Sequence, residues 1–267
     1  GDRNRKDSTF DICIIVCIYV VRGVLEPTSL GEPTMCFSSR RMVGSTARLQ
    51  MGLRAGRRVI STVATASAGG GQNVMKAMSA RLWCGGPLLR LSTGDITEWR
   101  GDVLVNCANE TLSGSLGRAN AWHFTGKRNV DTAVHALAGP RLLDECLLIH
   151  SDPVSGFRCD AGNAVITNAH GNLRVKFVVH AVGPYFLGGN TSNIVGPSSE
   201  VQILASTYQA ALSRACSVAA ESICFPAISC GVRGCSHTIG AHTALSSISS
   251  ALEEELLGGG GGGRLSS

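Results

Sequence analysis

No acidic residue occurs between Pro33 and Gly94, a stretch that carries nine basic ones. From Asp95 onward the balance reverses, with fourteen acids against eleven basic residues. The formal net charge of +5 therefore belongs to the N-terminal part. The remainder is mildly acidic, which argues against a nucleic-acid duplex as partner. Cys-x-x-Cys is also missing, although the chain has eleven cysteines. The pairs Cys13/Cys17 and Cys230/Cys235 lack zinc spacing, and Cys107, Cys216 and Cys224 sit in apolar runs and read as small buried hydrophobes. No metal is expected, and thiols so scattered suit a reducing compartment or matrix. The apolar run from Ile12 to Val21 is far short of a membrane span. No membrane partner is expected, and no small-residue cleavage site follows that run at signal-peptide distance.

What is present fits a soluble globular protein: 267 residues, 44% hydrophobic and 16% charged. That length allows one sizeable domain with extensions, or two small ones. The stretch from Met42 to about Gly71 is rich in Arg, Ser, Ala and Thr. It reads either as an organelle transit peptide or as a disordered basic tail. The first reading places the protein in mitochondria or plastids, the second in cytoplasm or nucleus. Both put residues 1–85 outside the fold as a disordered or targeting extension.

Beyond that point, strand and helix patterns alternate. Val103, Leu104 and Val105 have no polar neighbour on either face, as in a strand buried on both sides. Leu88 to Leu91, Ala164 to Thr167, Lys176 to Val182 and Ser222 to Ile228 are further strand candidates. Helical spacing is expected over Val130 to Ile149, Val201 to Val218 and His237 to Leu257. The alternation predicts an α/β fold over residues 86–257, with a mainly parallel mixed sheet between two helical layers. The hexaglycine 258–263 follows a helix and lacks a Gly-Lys-Ser ending. Residues 258–267 are thus a flexible glycine-rich tail and not a phosphate loop.

Open α/β sheets bind ligands at the carboxyl ends of their strands. Four polar or glycine-rich clusters fall there: Gly94-Asp95-Ile96-Thr97, Asn106-Cys107-Ala108-Asn109-Glu110, Gly183-Pro184, and Pro226 to Gly234. In the last, Ser229, Gly231 and Gly234 lie between a buried strand and a helix, where backbone amides can converge on an anion. Alone, such a loop is a tight turn and Asp95 is a helix cap.

The series GDIT, VNCANE, VDTAVHALAGP, RCDAGNAVIT, VVHAVGP and CFPAISCGVRG resembles the macro domain family in order and spacing, from about Leu88 to about Leu257. The forms NxAN, VDxAxH and PAIS[TC]G are most similar to the MacroD-type branch, whose members bind ADP-ribose and remove it from proteins or from O-acetyl-ADP-ribose. The resemblance implies a three-layer α/β/α macro domain fold. It implies no cofactor, and as partners ADP-ribose or mono-ADP-ribosylated proteins. It implies that Asp95 accepts the adenine amino group beside the Ile96 backbone, a task suited to an acceptor-only carboxylate. Asn109 would bond the distal ribose hydroxyls, and Asp131 would act beside it as a general base. Ser229, Cys230, Gly231, Val232, Arg233 and Gly234 would cradle the diphosphate. Asn106 either braces the loop or joins the ligand contacts, while His135 and His180 read as core histidines.

The sequence departs from that pattern in three places. Gly114 survives from a tetraglycine, but residues 115–129 replace its companions and lengthen the connection to Asp131. Arg233 stands where the family often carries an aromatic residue, and an arginine there could pair with the diphosphate. The family's last strand, with an aromatic that covers adenine, is absent after Leu257, so the sheet is expected to lack a strand and expose an edge. The function expected is ADP-ribose binding with hydrolysis of mono-ADP-ribose esters. A non-catalytic ADP-ribose reader and an inactive fragment are the alternatives.

Overall fold

The computed structural model describes residues 94–114, 129–186 and 198–258, together with strands at 17–21, 62–65, 77–81 and 88–92. Eight strands form one sheet: β1 (Cys17–Val21), β2 (Thr62–Thr65), β3 (Ala77–Arg81), β4 (Leu88–Ser92), β5 (Gly101–Cys107), β6 (Ala164–Asn168), β7 (Val175–Ala181) and β8 (Ser222–Phe225). Their order across the sheet is β2-β3-β4-β1-β8-β5-β7-β6. Among the described residues four α-helices accompany it: α1 (Val130–Ala138), α2 (Pro140–Leu148), α3 (Ser199–Ser217) and α4 (His237–Gly258).

The three layers follow from the alternation within β5. Val103 and Val105 point to one face, where they join Leu204 and Tyr208 of α3 and Ile248 and Leu252 of α4. Leu104 points to the other face and packs with Val134 and Ala138 of α1 and Leu142 of α2. All three β5 side chains are fully buried. That is why the run Val-Leu-Val carries no polar residue.

Three expectations need correction. First, the sheet is mixed, but parallel pairing is confined to β8, β5 and β7; β1, β2, β3, β4 and β6 pair antiparallel. Parallel neighbours need a long crossover, and α1 with α2 and then α3 supply the crossovers for those three strands alone. Second, residues 1–85 are not wholly outside the sheet, because they contribute β1, β2 and β3. β1 lies antiparallel between β4 and β8, so the edge expected from a missing strand is covered there. The apolar, β-branched run ending at Val21 is a sequence able to form such a strand. Third, the helix expected over Val130 to Ile149 is two helices. Gly139 has φ of +73° and ends α1, while Pro140 takes the first position of α2. A glycine terminator followed by an N-terminal proline is a stop-and-restart signal.

The amino ends of the parallel strands are tied together by Asp102. Its carboxylate accepts the Glu221 and Ser222 amides at 2.9 and 3.1 Å and lies 2.7 Å from Lys176 Nζ. The Lys176 hydrogen bond holds its carboxyl below the usual value. Among the described residues no helix is long and apolar enough to cross a membrane, and none of their His, Cys, Asp and Glu side chains cluster in a way that could hold a metal ion. Of the insert at 115–129, all but Asn129 lies outside the described residues, as does the tail from 259.

Candidate functional site

β5 runs parallel to β7 and β8, and β4 is antiparallel to β1, itself antiparallel to β8. The carboxyl ends of β4, β5, β7 and β8 therefore share one edge of the sheet. The segments following those ends carry Asp95, the Asn106–Asn109 turn, Gly183-Pro184 and the Ser229–Gly234 loop.

Asp95 is exposed and caps the short 3-10 turn Ile96–Glu98. Its Oδ1 accepts from the Thr97 amide at 2.9 Å and from Thr97 Oγ1 at 2.7 Å. Ile96 is buried against Leu104 and Val134 and fixes the turn to the sheet. Asp95 also lines a cleft of about 770 Å³ between this turn and α1, with Thr132, Ala133, Ala136, Arg100 and Arg174. Asn109, Asp131 and the 229–234 loop do not line that cleft.

Asn106 and Asp131 meet at the top of β5. Asn106 is fully buried, and its Nδ2 donates to Asp131 Oδ1 at 2.8 Å. The same nitrogen lies 3.3 Å from His180 Nδ1. His180 Nε2 is 3.0 Å from Thr167 Oγ1 and 3.5 Å from Cys146 Sγ. A neutral His180 with its proton on Nε2 accepts from Asn106 and donates to Thr167, the nearer of the two partners on that side. Burial, and the neighbouring His135, push its pKa down to about 3, so the ring is uncharged at neutral pH. Burial first, and Asp131 second, push the Cys146 thiol up to about 12.

His135 follows Asp131 by one helical turn, and its Nε2 lies 3.6 Å from Asp131 Oδ1. That nitrogen and Asn106 Oδ1 are buried without a hydrogen-bond partner among the described residues. Gly114 sits over the His135 ring with φ of +68°, where a Cβ would come within 3.2 Å of ring atoms. Glycine thus lets the loop from Asn109 lie against the helix that carries Asp131. Asn109 itself is partly buried; its Nδ2 donates to the Gly114 carbonyl at 3.4 Å, and its Oδ1 accepts from Thr111 at 2.9 Å. Asn129, the last residue of the departure at 115–129, caps α1 by accepting the Thr132 amide at 2.7 Å.

The loop after β8 is closed by its own hydrogen bonds. Ser229 adopts φ of +63°, donates Oγ to the Pro184 carbonyl at 2.8 Å, and accepts the Cys235 amide at 2.9 Å. Cys230 N bonds Ala227 O and Gly234 N bonds Gly231 O. Among the described residues, the amides of Gly231, Val232 and Arg233 meet no backbone acceptor. Three successive free N–H groups can serve an anion. Val232 is 76% exposed at the tip. The Cys230 thiol is held protonated by its hydrogen bond to Cys235, with burial adding to the effect.

Arg233 differs from expectation. Its side chain is buried, and both Nη atoms bond the Glu110 carboxylate, at 2.8 and 3.2 Å. Nη1 also donates to Gly183 O and Nη2 to Ala108 O. The guanidinium lies 4.2 Å from the Tyr185 ring centroid. Its charge is thus matched by Glu110, not left facing a diphosphate. Burial opposes the Glu110 charge, yet the Arg233 hydrogen bond holds its carboxyl below the ordinary value.

The geometry therefore joins Asn106, Asp131, His135 and His180 in one cluster, with Asn109 and Gly114 folded over it. Asp95 stands apart on the neighbouring cleft. Both histidines are buried, as expected of core residues. Their signal in the sequence was the i, i+4 spacing of Asp131 and His135, whereas nothing local marks His180.

A family model described as Macro domain matches residues 105–244. The O-acetyl-ADP-ribose deacetylase of Escherichia coli (strain K12) is 38% identical over 156 residues, covering 58% of this chain and 75% of that protein. A macro domain-containing protein of Vibrio parahaemolyticus is 38% identical over 146 residues, covering 55% of this chain and 72% of that protein. Among solved structures, a point variant of the Oceanobacillus iheyensis macrodomain is 31% identical with a TM-score of 0.50, covering 62% of this chain and 74% of the other. The chain belongs to the macro domain family.

Proposed function

We propose that this chain binds ADP-ribose at the carboxyl edge of its sheet and hydrolyses mono-ADP-ribose esters, either on acidic side chains of proteins or on O-acetyl-ADP-ribose. The observation that carries the reading is the buried Asn106–Asp131 pair beside the Asn109 loop, with three free amides at Gly231, Val232 and Arg233. A carboxylate held in a fixed direction can take a proton from water or substrate. The amides suit a diphosphate, since helix- and loop-borne N–H groups favour anions. In this reading Asp95 accepts the adenine amino group, with Ile96 beside it. Asn109 serves the distal ribose, and Asp131 is the general base. The relatives named O-acetyl-ADP-ribose deacetylase support the ester chemistry.

A non-catalytic reader is the second reading. It is favoured by Asn109, whose amide is turned toward Gly114 and Thr111 and must rotate to meet a ribose. Thermal shift tests binding. A ligand that binds only the folded state stabilises it by about 2.7 kcal/mol at a hundredfold excess over Kd. ADP-ribose should raise Tm, AMP should raise it less, and Asp95→Ala should remove the shift. A folded protein that shows no shift with ADP-ribose would defeat the binding reading. Release of ADP-ribose from a glutamate-modified protein, lost in Asp131→Ala, separates enzyme from reader.

A further inference from the structure

We infer that Arg233 is a positioning residue that locks the loop after β8 to the Asn109 turn, and so sets the preference for ADP-ribose over ADP. This rests on the functional reading above. A guanidinium has five N–H groups in a rigid fork, and here the four on its two terminal nitrogens point at four acceptors: the two Glu110 oxygens, Gly183 O and Ala108 O. The paired approach to Glu110 is the bidentate geometry that a lysine cannot reproduce. The Arg233 carbonyl accepts the Phe186 amide at 2.7 Å, and the Tyr185 ring covers the guanidinium. Three segments, 108–110, 183–186 and 229–234, are thereby held by one side chain and its own backbone.

The consequence lies in which atoms are held. Ala108 and Glu110 flank Asn109, and Arg233 bonds both. The loop that carries Arg233 also carries the free amides of Gly231, Val232 and Arg233. The latch therefore fixes the distance between the amides that meet a diphosphate and the asparagine that meets the ribose beyond it. A ligand ending at its second phosphate uses only the amide side. A ligand with a distal ribose uses both, and only it gains from the fixed spacing. Loosening the latch should penalise ADP-ribose more than ADP.

The test measures Kd for ADP and ADP-ribose by calorimetry in the wild-type chain, in Arg233→Met and in Glu110→Gln. Arg233→Met keeps an unbranched apolar stem and removes all four bonds. Wild type is expected to prefer ADP-ribose. Arg233→Met should cut that preference by about tenfold, within the usual range for coupling between sites, because ADP-ribose loses more affinity than ADP does. Glu110→Gln keeps the shape and loses the charge, and should move the ratio the same way by less. It carries the comparison if Arg233→Met does not fold. Arg233→Lys should not restore the ratio. Equal weakening of both ligands, or an unchanged ratio in a variant that has lost the latch, overturns the inference and makes the pair a structural brace only. A folded wild-type chain that binds neither ligand instead defeats the functional reading on which the inference stands.

Discussion

The amide of Asn106 donates to Asp131 Oδ1 at 2.8 Å inside the protein, and the two residues are twenty-five positions apart in the chain. The bond joins the carboxyl end of a central strand to the first turn of the helix beside it. A carboxylate so placed has its direction fixed before any ligand arrives, which is what a general base needs. Asn106 thus holds Asp131 in place, and we propose that this bracing, not ligand contact, is its role.

Removing that support should separate rate from binding. Asn106→Ala is expected to lower hydrolysis of an ADP-ribose ester by about 10–100-fold, because a misplacement of about 1 Å can cost that much. ADP-ribose affinity should change little. Asn106→Asp replaces the donor with a second carboxylate, and like charges raise the upper of the two coupled pKa values. Its pH–rate profile should therefore move to higher pH. Profiles of kcat/KM across pH 5–9 for the two variants check both statements, and an unmoved profile in Asn106→Asp would separate Asn106 from the base.

His180 makes a prediction about stability. Its pKa in the folded protein is pushed down to about 3 by burial and His135, against about 6.5 for an unperturbed histidine. The unfolded chain therefore binds a proton that the folded chain refuses. The neutral ring's contribution is fully present above about pH 6.5, and it is lost progressively as pH falls toward 3. Urea unfolding at pH 7 and pH 5 should show a loss of stability in wild type that is smaller in His180→Gln. An equal loss in both would assign the acid sensitivity elsewhere.

Much of this arrangement was readable in the sequence, and its limits have physical reasons. Val103, Leu104 and Val105 announced a strand buried on both faces, because no polar residue interrupts them. The Gly139-Pro140 break was equally visible as a local signal, but the apolar periodicity running across it suggested a single helix. Arg233 could not be placed. Its neighbours in the chain suggest an exposed loop arginine, and its partner Glu110 is 123 positions away. Strand β1 is a similar case: Cys17 is paired with Ser92, and no local pattern tells which strands a detached apolar run will join. His180 reads as one more residue of a buried strand until Asn106 and Thr167 are seen on either side of it.

The N-terminus yields a third prediction. β1 pairs with β4 along five positions and with β8 along four. Deleting residues 1–21 leaves both neighbours with an unpaired edge in the middle of the sheet. The expected loss is about 2 kcal/mol or more, read as about 4–8 °C in Tm for a domain of this size. An unchanged Tm would mean that the sheet does not depend on β1. We propose in addition that the acid-free stretch from Met42 to Ala68 directs the chain to mitochondria or plastids. Removal of that leader would take β1 and β2 with it, so targeting and pairing are compatible only if it is retained. A fluorescent fusion of the full chain should enter the organelle at full mass. A diffuse signal would leave the stretch without a targeting role.

The last prediction is that this chain binds ADP-ribose better than it cleaves ADP-ribose esters. In the function proposed above, binding draws on Asp95 and on the amides of Gly231, Val232 and Arg233, each held by its own local hydrogen bonds or by the Arg233 latch. Cleavage also requires Asn109 and Asp131 to meet at one ribose, and the connection between them runs through the insertion at 115–128. Two features limit the damage. Asn129 caps α1 at the Thr132 amide, and Asn106 holds Asp131 from the strand side. The carboxylate is therefore anchored independently of the insertion, and so is the Asn109 backbone through Ala108 and Glu110, whereas the Asn109 side chain is not. Its side chain is bonded to Gly114 and Thr111, immediately before the inserted segment begins. Replacing residues 115–128 with a short glycine run, and leaving Asn129 in place, should raise kcat for release of ADP-ribose from a glutamate-modified protein while Kd for ADP-ribose stays within about threefold. With rate losses of about a hundredfold per ångström at stake, a gain of at least about tenfold is expected. Full activity in the unmodified chain, abolished by Asp131→Ala and unaffected by the glycine replacement, would show instead that the insertion lies clear of the reacting atoms and that Asn109 reaches the ribose unaided.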